Sequence, residues 1–146
     1  MNSQQLQEVI ADSGVIPPLV IDVFEEITST NQKLWQLIDA NCSLPRGAIA
    51  RQQTAGRGQW GRVWQSPPGG LYLSVALPLD LAINCGPHLT LAVAWGIANQ
   101  LRCRDIPVLL KWPNDLVLSG RKLGGIKIET RVSQEIITHG VIGVGI

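Results

Sequence analysis

The chain is poor in the residues that most often build metal centres, disulfide frameworks and covalent active sites: three cysteines, two histidines, one tyrosine, one phenylalanine and one methionine among 146 residues. Cys42, Cys85 and Cys103 are odd in number, far apart and form no CxxC pair. They suggest neither a zinc site nor a redox motif, and they point to a reducing, cytoplasmic compartment. His88 and His139 stand apart with no HExxH pattern or carboxylate cluster, which argues against an imidazole-built metal centre. Neither GxSxG nor SxxK occurs, so a hydrolase working through a serine intermediate is disfavoured. Charge is scarce too, 16% of residues with a net +1, so no overall field marks a nucleic-acid or membrane-surface protein. The longest apolar stretch, Leu89 to Leu101, is too short to span a bilayer, and MNSQQLQEVIADSG lacks the basic and apolar regions of a secretion signal.

What is present is a core: 45% of the residues are hydrophobic, enough for one domain. Ser3 is placed to cap a short helix with Leu6, Val9 and Ile10 on one face, stopped by Gly14 to Pro18. A strand is expected over Leu19 to Ile27. Thr28 to Asn31 then caps a helix carrying Leu34, Trp35, Leu37 and Ile38. Ala48 to Gln53 reads as a strand, Thr54 to Gly70 as a long Gly/Pro-punctuated loop, and Leu71 to Leu79 as another strand. Leu89 to Cys103, apolar nearly all round, reads as a buried helix. Strand-like runs follow at Val108 to Trp112, Leu116 to Leu118, Ile126 to Val132 and Glu135 to Val144, with turns at Ser119-Gly120 and Ser133-Gln134. The expectation is one α+β domain over residues 1–146: a mixed, largely antiparallel sheet with packed helices.

Three segments carry chemistry. Gly56-Arg57-Gly58-Gln59-Trp60-Gly61 matches GxGxxG formally, but no helix opens after it, so a dinucleotide fingerprint is rejected. What remains is a glycine loop with Arg57 and Arg62 in a stretch that holds no acid between Asp39 and Asp80, a setting suited to phosphate. Trp60 and Trp64 in the same loop offer faces for an adenine ring or an apolar ligand. In Lys111-Trp112-Pro113-Asn114-Asp115 a lysine ends an apolar run and wants an anionic partner. Small polar side chains at Thr28 to Asn31, sufficiently explained as a helix cap, would with Gln52 and Gln53 also satisfy an uncharged polar ligand group.

Taken in order, Ser29-Thr30-Asn31, QQTAGRGQWGRVWQSPPGGLYLS from Gln52, KWPNDL from Lys111, RKLGGI from Arg121 and the terminal VIGVGI resemble the catalytic domain of biotin protein ligases. The likeness runs from about Val20 to Ile146 and implies part of a class II synthetase-like biotin/lipoate ligase fold. It implies a two-step reaction in which biotin and MgATP give biotinyl-5′-AMP and diphosphate, and the adenylate then acylates a lysine of biotin carboxyl carrier protein of acetyl-CoA carboxylase. Biotin and ATP are then substrates and Mg²⁺ the metal, with Asp115 the candidate to assist it.

By the same resemblance Ser29, Thr30, Asn31 and Gln53 form the biotin-recognising polar set. Gly56, Arg57 and Gly58 belong to a loop that closes over biotin and phosphate, and Arg57 and Lys111 are the catalytic cations at the carboxylate/phosphate junction. Gly143 and Gly145 lie against the biotin ring, Trp64 packs by the adenine, and Asn114 and Lys122 help place ATP. Gln59 stands where many members carry a second arginine, with Arg62 as a compensating cation. Only about twenty residues precede the matching region, so no DNA-binding module and no DNA partner are expected. The chain is expected to be the N-terminal portion of the catalytic domain, acting away from membranes and compatible with a homodimer. Rival readings are a lipoate or octanoyl ligase, a non-catalytic biotin-binding module and a single-stranded nucleic-acid binder using Arg57, Arg62, Trp60 and Trp64.

Overall fold

A computed structural model describes residues 4, 5, 8 and 19–146. Gln4, Gln5 and Glu8 are helical, while Ser3, the Leu6, Val9 and Ile10 face and the Gly14 to Pro18 stop of the helix expected there lie outside the described residues. Strand β1 (Val20–Ile27) runs into helix α1 (Thr30–Asp39), which returns the chain to β2 (Arg46–Gln53) parallel to β1. A parallel neighbour needs such a crossover, because a tight turn can only reverse the chain. After the 54–71 loop come β3 (Tyr72–Ala82), helix α2 (Gly86–Arg102), β4 (Leu109–Lys111), β5 (Asp115–Leu118), β6 (Arg121–Ser133) and β7 (Ile136–Gly145). One seven-stranded sheet results, in the order β1-β2-β3-β7-β6-β5-β4, antiparallel except at β1/β2.

Two tight turns set the register of the second half. Ser119 and Gly120 both have positive φ, the requirement of a two-residue turn whose twist matches its strands. The β6/β7 turn is centred on Gln134 and Glu135, one residue later than the Ser133-Gln134 placement expected from the sequence.

The helices lie on opposite faces. Leu34 and Ile38 of α1 form a buried cluster with Ala48, Ala76 and Val141, whereas a Cβ on Gly140 would meet Leu89 of α2. Adjacent strand residues point to opposite sides, so α2 lies behind the sheet that α1 covers in front. Helix α2 is not buried all round, as its apolar sequence led one to expect. Only Ala94 and Ala98 are buried, and Trp95 is 61% exposed. Ala98 packs with Val108 and Leu116 along one stripe, and no described element covers the other side of the helix.

Candidate functional site

The front face of the sheet is open where α1 ends and β7 turns to glycine. Val141, Gly143 and Gly145 share the face that α1 covers. Val141 lies under the helix, but a Cβ on Gly143 would fall on Asn31 Oδ1, and one on Gly145 on the Trp64 indole. The missing side chains let Asn31 and Trp64 lie directly on the strand, beside a cavity of about 390 Å³ roofed by the glycine loop and floored by β6 and β7. That is within the usual size of small-molecule sites, about 300–1,000 Å³.

One end of the cavity is polar and nearly uncharged. The α1 N-terminus reaches it with Ser29, Thr30 and Asn31, all buried. Ser29 accepts from the Gln32 amide at 3.5 Å, a loose cap, while the Thr30 amide donates to Gln53 Oε1 at 2.8 Å. Gln53 thus closes the helix end from the neighbouring strand and supplies an acceptor that the cap alone would not. Its Oε1 also accepts from the Thr30 hydroxyl at 3.1 Å, and its Nε2 donates to Ser66 Oγ at 2.8 Å. Ser74, wholly buried on β3, lies 2.7 Å from Thr30 Oγ1 and 2.6 Å from Asn31 Oδ1.

The cavity is otherwise cationic. Arg57, Arg62, Lys122 and Lys127 line it, and Asp115 is the one acid lining it among the described residues. Lys122 Nζ sits 2.7 Å from Asp115 Oδ1 and 5.1 Å from the centre of the Trp64 ring, a geometry suited to a cation–π contact. Trp64 Nε1 is buried with no hydrogen-bond partner. At the mouth, Trp60 is 92% and Trp112 78% exposed. Trp60 stands there because it occupies the left-handed backbone region (φ 56°) inside the Gln59–Gly61 turn.

Of the residues singled out from the sequence, Ser29, Thr30, Asn31, Gln53, Arg57, Gly58, Gln59, Arg62, Trp64, Asn114, Asp115, Lys122, Gly143 and Gly145 all line this cavity. Lys111 and Gly56 do not. Lys111 is exposed on the edge strand β4, and Trp112, Pro113, Asn114, Asp115 and Lys122 line the cavity from that side. Gly56 acts through its backbone, since a Cβ there would meet Trp64 O and Ser66 Oγ, where the loop returns on itself. Asn114 is a strut as well as a lining residue, donating to Ile126 O at 2.8 Å and accepting from Ile126 N at 2.9 Å.

Sequence reasoning missed Ser74, Lys127 and Glu129. Glu129 Oε2 accepts from Asn31 Nδ2 at 2.9 Å and Trp35 Nε1 at 3.3 Å, and lies 3.6 Å from Arg57 Nη2. The period of a strand could have found both charges, because Gly125, Lys127 and Glu129 alternate onto one face. Among the described residues no cluster of three or more His, Cys, Asp or Glu could hold a metal, and no helix is long and apolar enough to cross a membrane.

Residues 23–146 match the biotin/lipoate A/B protein ligase family. The chain is 34% identical over 128 residues to the bifunctional ligase/repressor BirA of Bacillus spizizenii, covering 85% of this chain and 39% of that protein. It is 40% identical over 130 residues to BirA of Escherichia coli, covering 86% and 40%. Among solved structures, the biotin acetyl coenzyme A carboxylase synthetase of Helicobacter pylori with bound biotinylated ATP superposes with a TM-score of 0.68 at 29% identity, over 86% of this chain and 59% of that one. The chain therefore spans about two fifths of the length of these curated relatives.

Proposed function

Because the chain belongs to the biotin/lipoate A/B protein ligase family, we propose that its cavity binds biotin and MgATP and joins them as biotinyl-5′-AMP. The adenylate then passes its acyl group to a lysine of a biotin carboxyl carrier protein, such as that of acetyl-CoA carboxylase, in the cytoplasm. The observation that carries this reading is the polarity of the cavity. One pocket holds both a neutral set of hydrogen-bonding groups at Ser29, Thr30, Asn31 and Gln53 and cations at Arg57 and Lys122. Biotin has that polarity, a neutral ureido ring at one end and a carboxylate at the other.

The hydrogen bonds at the neutral end support it. Gln53 Nε2 gives one of its two protons to Ser66, and Asn31 Nδ2 one of two to Glu129, so each amide keeps one proton for a ligand carbonyl. A ring without a ureido group would leave them unpaired, at about 1–3 kcal/mol for each buried group. Gly143 and Gly145 line the cavity and let Asn31 and Trp64 pack directly on β7, so that both side chains face the ring.

In the first step a biotin carboxylate oxygen bonds to the α-phosphorus, and the bond to the β-phosphate breaks, with its electron pair leaving on diphosphate. Two anions meet and charge builds on the phosphoryl oxygens, so stabilisation by fixed cations matters more than a protein nucleophile. Arg57 and Lys122 would provide it, with Arg62 beside them in the cavity lining. Mg²⁺ arrives on the ATP phosphates. Asp115, the one acid lining the cavity, is the residue that would assist it, since Mg²⁺ commonly takes one or two carboxylates beside substrate phosphates. In the second step the lysine amine attacks the acyl carbon, loses a proton, and AMP departs.

Calorimetry with biotin, then with biotin and MgATP, followed by mass spectrometry of the ligand, tests the proposal. Saturable biotin binding that lipoate does not displace is expected, with a mass matching biotinyl-5′-AMP after MgATP. A folded chain that binds lipoate but not biotin would overturn it.

A further inference from the structure

We propose that Glu129, which stands outside the cavity lining, is a positioning residue that fixes which hydrogen-bonding groups Asn31 and Thr30 turn to the cavity. It acts through Asn31 and, beyond it, the buried hydroxyl of Ser74. The identity of the ligand rests on the biotin reading above, but the ordering of these groups does not.

Helix α1 meets β6 along a polar seam. Asn31, Trp35 and Asp39 recur at helical spacing on α1, and Glu129 and Arg131 alternate onto one face of β6. Asn31 Nδ2 and Trp35 Nε1 both donate to Glu129 Oε2, at 2.9 Å and 3.3 Å. Arg131 lies over the Trp35 ring at 5.0 Å and donates to Asp39 Oδ1 at 2.7 Å. Glu129 is therefore held to the helix by two directed bonds from residues one turn apart, and the second of those donors is itself fixed by a stacked guanidinium.

An amide side chain fits its site in two orientations of nearly the same shape, and its partners choose between them. Turned over, Asn31 would set its carbonyl oxygen against the Glu129 carboxylate, acceptor against acceptor. The carboxylate thus holds Nδ2 toward β6 and turns Oδ1 to Ser74, whose single proton it takes at 2.6 Å. Ser74 then has only lone pairs left for Thr30. The 2.7 Å contact between the two hydroxyls is carried by the Thr30 proton, which Gln53 Oε1 shares at 3.1 Å. Ser74 is wholly buried, so no solvent relieves a mismatch in this chain of bonds. As a result Thr30 turns lone pairs to the cavity and Asn31 its second amide proton. A ligand that pairs with both brings an N–H beside a carbonyl, as a ureido ring does.

Charge and reach predict opposite results at this position. Glu129 lies 3.6 Å from Arg57 Nη2 and 3.7 Å from Lys127 Nζ, so removing its charge would by itself draw an anionic ligand more strongly. Glu129→Gln loses the charge but keeps the reach and an acceptor, whereas Glu129→Asp keeps the charge but draws the carboxylate back from Asn31 by one methylene. Titration calorimetry should find biotin bound about tenfold more weakly by Glu129→Asp, with Glu129→Gln restored to within about twofold of the parent chain. In an Asn31→Ala background, Glu129→Asp should change affinity by less than about twofold, because its effect passes through Asn31. The proposal is overturned if Glu129→Gln is the weaker binder, which would make charge the agent, or if Glu129→Asp costs the same with and without Asn31, which would mean a general structural effect. Exchange of asparagine side-chain amide protons, followed by nuclear magnetic resonance, reads the ordering without biotin. Those of Asn31 should exchange about tenfold or more slowly than those of the exposed Asn41 and Asn84 in the parent and in Glu129→Gln, and faster in Glu129→Asp. If the parent chain binds no biotin, the biotin reading falls and exchange alone decides, with equal Asn31 rates in the parent and Glu129→Asp overturning the ordering.

Discussion

At the scale of single residues, the two lysines near the KWPND segment have opposite surroundings. Both are exposed, but Lys111 ends the edge strand β4, while Lys122 lines the cavity, with its Nζ 2.7 Å from Asp115 Oδ1 and 5.1 Å from the centre of the Trp64 ring. Removing Lys122 would take a cation from the site and also leave the Asp115 carboxylate facing the ligand's phosphate. Lys122→Ala should therefore weaken biotinyl-5′-AMP binding by about tenfold to a hundredfold, the worth of a charged hydrogen bond. Lys111→Ala should change it less than twofold, and titration calorimetry on both variants decides. The sequence ranks Lys111, which ends the apolar run Val108 to Leu110, above Lys122, which follows the Ser119-Gly120 turn. What separates them is the pairing of β5 with β6, which places Lys122 opposite Val117 beside a register shift. Gly143, Gly145 and the polar cluster at Ser29 to Asn31 were legible through the family resemblance, since strand glycines and helix-capping residues have ordinary uses of their own, and all five line the cavity. Glu129 and Lys127 were passed over because charges on a strand ordinarily point to water, although their alternation with Gly125 puts all three on one face.

At the scale of elements, the site depends on one strand being bare where its neighbour is covered. Strand β7 alternates Val141, Gly143 and Gly145 on its front face, so the same strand packs α1 at one end and floors the cavity at the other. Gly143→Ala would set a methyl group against the Asn31 amide, which is held between Ser74 and Glu129 and has little freedom to yield. The expected cost is about 1–3 kcal/mol of stability, as for overpacking elsewhere. Biotin affinity should fall by about tenfold or more, read by thermal unfolding and calorimetry. The strands and the capped helix α1 were readable from alternation, capping residues and turn residues. Helix α2 was misread as buried because apolar content does not reveal which neighbours exist. Its stripe of Ala94 and Ala98 meets the sheet, and Leu91 and Trp95 lie on the uncovered side.

At the scale of the whole molecule, the sheet order puts β3 and β7 at the centre, and Tyr72 joins that centre to the roof of the cavity. It stands on β3 between Ala50 of β2 and Gly145 of β7, and its hydroxyl donates to Pro67 O at 2.8 Å. Strand order could not be read from local pattern, since it is set by which apolar faces meet, and so this link between core and loop was invisible in the sequence. Burial raises the Tyr72 pKa above the ordinary phenol value of 10.0 by disfavouring the charged form. With the folded pKa above the unfolded one, the neutral phenol's contribution is fully present below the unfolded value and is lost as pH rises through the folded one. Stability should hold near neutrality and fall above about pH 10, where the unfolded chain ionises first. Tyr72→Phe removes both the ionisation and the bond to Pro67. It should start less stable by about 1 kcal/mol, the net worth of one hydrogen bond, but decline less steeply with alkali. Denaturant midpoints measured from pH 7 to pH 11 on both chains would show the two curves converging, and parallel curves would mean that the alkaline loss belongs to other groups.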